Sequence, residues 1–96
     1  MKERALHKKD SLKKEEEKYI LVLYNDDINT FGHVIKSLVE VCGHDDYQAE
    51  QCAMLTHFKG RCDVKTGSKE LLLSMNRTLK IRGLLSKVES LKLERS

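Results

Sequence analysis

Tyr19-Ile20-Leu21-Val22-Leu23-Tyr24 runs without a break into Asn25-Asp26-Asp27. Six almost wholly apolar residues predict a strand. The lack of polar alternation places it at the centre of a sheet, covered on both faces. The three short acceptors at its end are therefore held by a fixed support, and an amphipathic helix pattern opens a few residues later to wall one side. Acceptors of this kind suit a cationic ligand. On residue types alone, a turn with a helix cap is the plainer account, because Asn and Asp favour both.

Downstream, Phe31, Val34, Ile35, Leu38, Val39 and Cys42 fall on one helical stripe. Asn29 or Thr30 suits its start, and Gly43 suits the left-handed residue after its end. Asp45 or Asp46 opens a second helix, with Tyr47, Cys52, Leu55 and Phe58 as expected core residues and Gly60 as its stop. Arg61 to Lys65 alternates, with Cys62 and Val64 on one face, and predicts a short strand. Thr66-Gly67-Ser68 is a turn and cap before a third helix, with Leu71, Leu72, Met75 and Leu79 inward and Gly83 at its end. Leu84 to Glu89 closes as a last strand. The order β-α-α-β-α-β predicts an α+β domain: one three-stranded sheet with helices packed on it. His33 and His44 read as exposed helix and turn residues.

The 96 residues allow one small domain, expected over 18–90. Residues 1–17 are dominated by Lys and Glu and predict a flexible charged tail; 91–96 predict a frayed end. A net charge of +3, with both signs interleaved and no interleaved aromatics, argues against a nucleic-acid partner. No apolar run is long enough to span a membrane, and the N-terminus lacks a secretory h-region. Cys42, Cys52 and Cys62 cannot all pair within one chain and form no CxxC, so they read as reduced residues of a cytoplasmic protein. The alternative is a small Cys/His metal-binding or redox domain built from Cys42, His44, Asp45, Asp46, Cys52, His57 and Cys62. Only Cys42 and His44 make a tight pair, where a closed zinc site usually shows two. There is no Walker motif and no nucleophile with a base at recognisable spacing, so neither an enzyme nor a cofactor is expected.

The stretches YILVLYNDDINTFGHVIKSL (19–38) and AEQCAMLTHFKGRC (49–62), followed by the Gly67-Ser68 start of a third helix, resemble the ClpS family. These are adaptors that deliver substrates to ClpA-type or ClpC-type AAA+ unfoldases and their peptidase. The resemblance covers about residues 18 to 89. It implies a three-stranded antiparallel sheet with three helices, and a monomer that binds N-degrons: protein N-termini beginning with Leu, Phe, Tyr or Trp. It implies that Asn25, Asp26 and His57 hold the free α-amino group. It implies a hydrophobic pocket, with its support, from Ile28, Asn29, Phe31, Val34, Ala53, Thr56 and Leu84, and an unfoldase contact at Glu70. The chemistry is coherent: an α-ammonium offers three donors and a charge, and Asp26, Asn25 and a neutral His57 offer an anion and two neutral acceptors. The chain also departs from the family. Ile28-Asn29-Thr30-Phe31 stands where many members have Tyr-Thr-Pro-Met, Ala53 where many have Met, and Thr56 where many have Val. A differently shaped pocket, with its preference shifted toward broad first residues, is the expectation.

Overall fold

The structure, a computed structural model, describes residues 18–91. The expected tail at 1–17 and residues 92–96 lie outside the described residues. The elements in chain order are β1 (Tyr19–Tyr24), α1 (Phe31–Cys42), α2 (Asp46–Lys59), β2 (Arg61–Gly67), α3 (Lys69–Ile81) and β3 (Leu85–Ser90). They form one three-stranded sheet in the order β2-β1-β3, with β1 antiparallel to both neighbours.

The central place of β1 follows from its composition. Leu21 and Leu23 enter the helix-covered core with Leu38 and Cys42 of α1, Cys52 of α2, and Leu72 and Leu79 of α3. Ile20 and Val22 alternate with them and are buried as well. Their register partners are Thr66 and Glu89 beside Ile20, and Asp63 and Lys87 beside Val22. The aliphatic stems of long side chains such as Glu89 and Lys87 can shield an apolar strand neighbour while their charged ends stay in water. The ladder continues past the expected end of the domain, because Leu91 donates its N–H to Lys18 O at 3.0 Å.

The helix starts are set by side-chain caps. Thr30 accepts from the His33 N–H at 3.1 Å. Asp45 accepts from the Gln48 N–H at 2.7 Å, while the Gln48 side chain accepts from the Asp45 N–H, completing a capping box. Ser68 caps α3 through the Leu71 N–H.

Several expectations are corrected by the packing. In α2 the inward face is Ala49, Cys52, Ala53 and Thr56. Tyr47 and Phe58 are each 71% exposed and Leu55 is 46% exposed. Both stripes obey the helical period, so periodicity cannot rank them. The small stripe is the one that permits a close approach to β2 and α1, the elements α2 packs against. In α3, Leu72 and Leu79 are fully buried, whereas Leu71 turns outward. That helix ends at Ile81 with Arg82 as its cap, one residue before Gly83, and Leu84 lies in the turn ahead of β3. His44 is buried rather than exposed: its Nε2–H donates to Val64 O at 3.0 Å, joining the α1–α2 turn to β2. His33 is half-buried, with Nε2–H donating to Arg82 O at 2.8 Å. A carbonyl can only accept, which fixes the donor role of each ring nitrogen.

Candidate functional site

Three turns meet at one end of the sheet, and two left-handed glycines hold them together. Gly60 (φ 94°) ends α2 by donating its N–H to Thr56 O at 2.9 Å, and its own carbonyl accepts the Asn25 N–H at 3.0 Å. Gly83 (φ 88°) follows α3, donates to Lys80 O at 2.9 Å, and its carbonyl accepts from Asn29 Nδ2 at 2.8 Å. A residue with a Cβ is strained at such a φ. The two glycine carbonyls thus anchor both ends of the β1–α1 loop, bringing Asn25 beside the last turn of α2 and Asn29 beside the start of β3.

Asp26 organises that loop. Its Oδ1 accepts from the Ile28 and Asn29 N–H groups, both at 2.9 Å, and its Oδ2 accepts from Asn29 Nδ2, also at 2.9 Å. Partial burial alone would raise its carboxyl pKa. The Asn29 amide, the Asn29 side chain and the Ile28 N–H overcome this and hold it below the ordinary carboxylate value. Asp26 is therefore a fixed anion at neutral pH. Its two oxygens offer about four lone-pair directions and three are taken within the loop, so it keeps acceptor capacity for a ligand.

A hollow of about 390 Å³, open mouth included, lies where these turns converge. Its polar rim carries Asn25, Asp26 and Asn29 from the loop and His57 from α2. The His57 ring meets Phe31 edge to face at 5.7 Å and 82°, and Phe58 at 4.8 Å and 77°. Phe31 from α1 lines the hollow while partly exposed, and the rest of the lining is Val34 from α1, Ala53 and Thr56 from α2, and Leu84 from the α3–β3 turn. Ala53, Thr56 and Leu84 are almost fully buried. The Thr56 hydroxyl donates to Cys52 O at 2.8 Å, a bond within its own helix.

Nine of the ten residues expected at the amine site and pocket line this hollow. Ile28 does not: it is 86% exposed, and only its backbone N–H takes part, through Asp26. A residue inside a tight Asx turn presents its side chain outward, which spacing along the chain does not reveal. Glu70 lies exposed in the first turn of α3, outside the lining. Leu23 and Tyr24 also line the hollow and were not singled out from sequence. Their position as the last residues of the strand that delivers Asn25 was the available signal. Among the described residues, no group of three or more His, Cys, Asp and Glu side chains is placed to hold a metal ion. Also among the described residues, no helix is long and apolar enough to cross a membrane.

The hollow thus sets a fixed anion beside Asn25 and His57 at its mouth, above buried Ala53, Thr56 and Leu84. The family model described as ATP-dependent Clp protease adaptor protein ClpS matches residues 14–84. No curated protein matches the chain. Among solved structures, Agrobacterium tumefaciens ClpS2 bound to L-phenylalaninamide is similar in fold, with a TM-score of 0.75 and 18% identity over 78% of this chain and 98% of that one.

Proposed function

Since the chain belongs to the ClpS family of Clp protease adaptors, we propose that its hollow binds the free α-amino group and the bulky hydrophobic first residue of N-degron substrates. The bound substrate is then handed to a ClpA-type or ClpC-type AAA+ unfoldase. The protein acts as a cytoplasmic monomer, by non-covalent binding and without catalysis. The observation that carries the reading is the meeting of Asn25, Asp26 and His57 at the mouth of a pocket based on Ala53, Thr56 and Leu84. The similar ClpS2 structure holds L-phenylalaninamide, which is a free α-amine joined to a Phe side chain. Burying such a side chain contributes about 1.5–3 kcal/mol, and each charge-assisted hydrogen bond a comparable amount, so amine and side chain are both required. In this reading Glu70 contacts the unfoldase.

Peptides that differ only in their first residue test the reading. Leu, Phe, Tyr and Trp are expected to bind and Gly or Lys not to; equal binding across the series would overturn it. The same series reads the pocket shape. Ala53 is nearly fully buried in the wall, so Ala53→Met adds a flexible side chain where the first residue would enter. The substitution is expected to penalise the broad residues Trp and Tyr relative to Leu. An unchanged ranking would remove Ala53 from the specificity wall.

The affinity should also depend on pH with a definite sign. A free peptide amine titrates near about 7.7–8.0, and Asp26 beside it raises that value in the complex. The charged form is bound, so affinity is full below the free value. It declines as pH rises above it by up to about tenfold per unit, levelling off only above the bound value. Asp26 remains ionised on the acid side, because its carboxyl lies below the ordinary range. His57→Gln, which keeps an acceptor at this position, should retain binding, and His57→Ala, which removes it, should bind more weakly. Calorimetric titration of the native chain across pH checks the alkaline limb, and equal affinity of the native chain and His57→Ala would remove His57 from the amine site.

A further inference from the structure

We infer that Cys52 and Cys62 form a modification site: a buried thiol pair that oxidises to a reversible disulfide and staples α2 to β2 beneath the pocket. Their Sγ atoms lie 2.7 Å apart, inside the contact distance of two unbonded sulfurs. A disulfide bond is about 2.05 Å long, so the sulfurs need to close by only roughly 0.65 Å. Cys42, the third buried thiol, makes no sulfur contact of this kind among the described residues.

The pair is chemically unequal. Donation from Cys52 favours the thiolate at Cys62 and lowers its pKa, while the same hydrogen bond and burial push Cys52 up. Burial pushes Cys42 up to about 11, which keeps it a thiol. With hydrogen peroxide as oxidant, the Cys62 thiolate attacks one oxygen. An S–O bond forms, the O–O bond breaks, and the leaving hydroxide takes up the proton that Cys62 had shed, giving water. Cys52 Sγ then attacks the Cys62 sulfur. The S–S bond forms, the S–O bond breaks, and the second hydroxide departs as water with the Cys52 proton. Two thiols are oxidised by two electrons and one peroxide is reduced to two waters. A dithiol reductant reverses the bridge by exchange.

The position gives the bridge its consequence. The segment between the two cysteines contains Ala53, Thr56 and His57, which are all the residues α2 supplies to the hollow. Cys62 is also paired in register with Leu23, another lining residue. Because the sulfurs already lie inside unbonded contact distance, closure needs a shift of only roughly 0.65 Å and leaves this wall close to where it is. The cross-link instead restricts the unfolded chain and stabilises the folded one.

The test uses the full chain treated with hydrogen peroxide and then with dithiothreitol, read by intact mass, by peptide mapping after alkylation, and by thermal unfolding. The expected product has lost two hydrogen atoms, carries a Cys52–Cys62 link with Cys42 still alkylatable, and melts higher by about 5 °C or more. Dithiothreitol should restore both mass and melting temperature. Cys62→Ser should show neither change, and Cys42→Ser should keep both. Oxygen adducts without a link, a link through Cys42, linked pairs of chains, or an unchanged or lower melting temperature would each overturn the proposal. The binding arm rests on the peptide N-terminus reading. The stapled chain should bind a Phe-initiated peptide within about twofold of the reduced chain. A loss of binding that reductant restores would overturn the claim that the wall stays in place. If neither form binds while the bridge forms and the melting temperature rises, the thiol pair stands and the peptide reading falls.

Discussion

N-acetylation of a Phe-initiated or Leu-initiated peptide is expected to weaken its binding by about 100-fold or more, which corresponds to about 3 kcal/mol. Acetylation removes the positive charge and two of the three donors while leaving the side chain intact. Asp26 then faces a neutral amide. Its charge persists at neutral pH because Ile28 and Asn29 stabilise the carboxylate. The complex would therefore desolvate an anion without a counter-charge, which costs more than the loss of a neutral hydrogen bond. Equal affinity for the two peptides, measured by fluorescence titration, would sink the reading of Asn25, Asp26 and His57 as an amine site.

The peptide substitution is cleaner than mutation of Asp26, because that residue has a second task. Asp26→Ala removes the acceptor for two backbone N–H groups and for Asn29 Nδ2, and so releases the loop as well as the charge. Asp26→Asn keeps an Oδ1 for the backbone donors and loses the charge. Binding should fall in both and both should melt lower, Asp26→Ala by more, because Asp26→Asn keeps the two backbone bonds but sets its amide against Asn29 Nδ2 and gives up the stabilised carboxylate. The expected scale is roughly 4–8 °C per kcal/mol lost for a domain of this size. A thermal melt of Asp26→Asn that matches Asp26→Ala would show that the charge, rather than the turn, stabilises the loop.

Leu72→Ala is expected to destabilise the domain by about 2–5 kcal/mol, a large share of what a small domain possesses. Leu72 is fully buried and lies in the central cluster with Leu21, Leu23 and Leu38. Truncation removes transfer free energy and leaves a void that the surrounding strand and helices fill only in part. Phe58→Ala, a larger truncation, should cost within about 0.5 kcal/mol, because surface substitutions away from special features fall in that range. Its ring is 71% exposed and its contact is an edge against His57. Urea unfolding of both variants decides the matter. A Phe58→Ala loss near that of Leu72→Ala would return the aromatic stripe of α2 to the core.

The six-residue run Tyr19–Tyr24 was legible as a central strand because a strand that is apolar on both faces has no stable place at an edge. The caps were legible within one residue, at Thr30 and Asp45, because the chemistry of an orphan N–H is local. The inward face of α2 was not. Two stripes there share the helical period, and only the packing distance to β2 and α1 selects Ala49, Cys52, Ala53 and Thr56 over Tyr47, Leu55 and Phe58. His44 was misread for a related reason: a turn residue is ordinarily exposed, and only the carbonyl of Val64, twenty residues on, buries it.

The order of the elements, the central strand and the chemical types available at its end are readable from the residues alone, since these depend on composition and short-range spacing. Long-range packing is what brings Asn25, Asp26 and His57 to one rim, through a hydrogen bond from Asn25 N–H to Gly60 O. Packing likewise ties Asn29 to Gly83, turns Ile28 away from the hollow and sets Cys52 against Cys62. Each of these contacts joins separate elements, and a local pattern carries no record of which elements the antiparallel sheet will bring together.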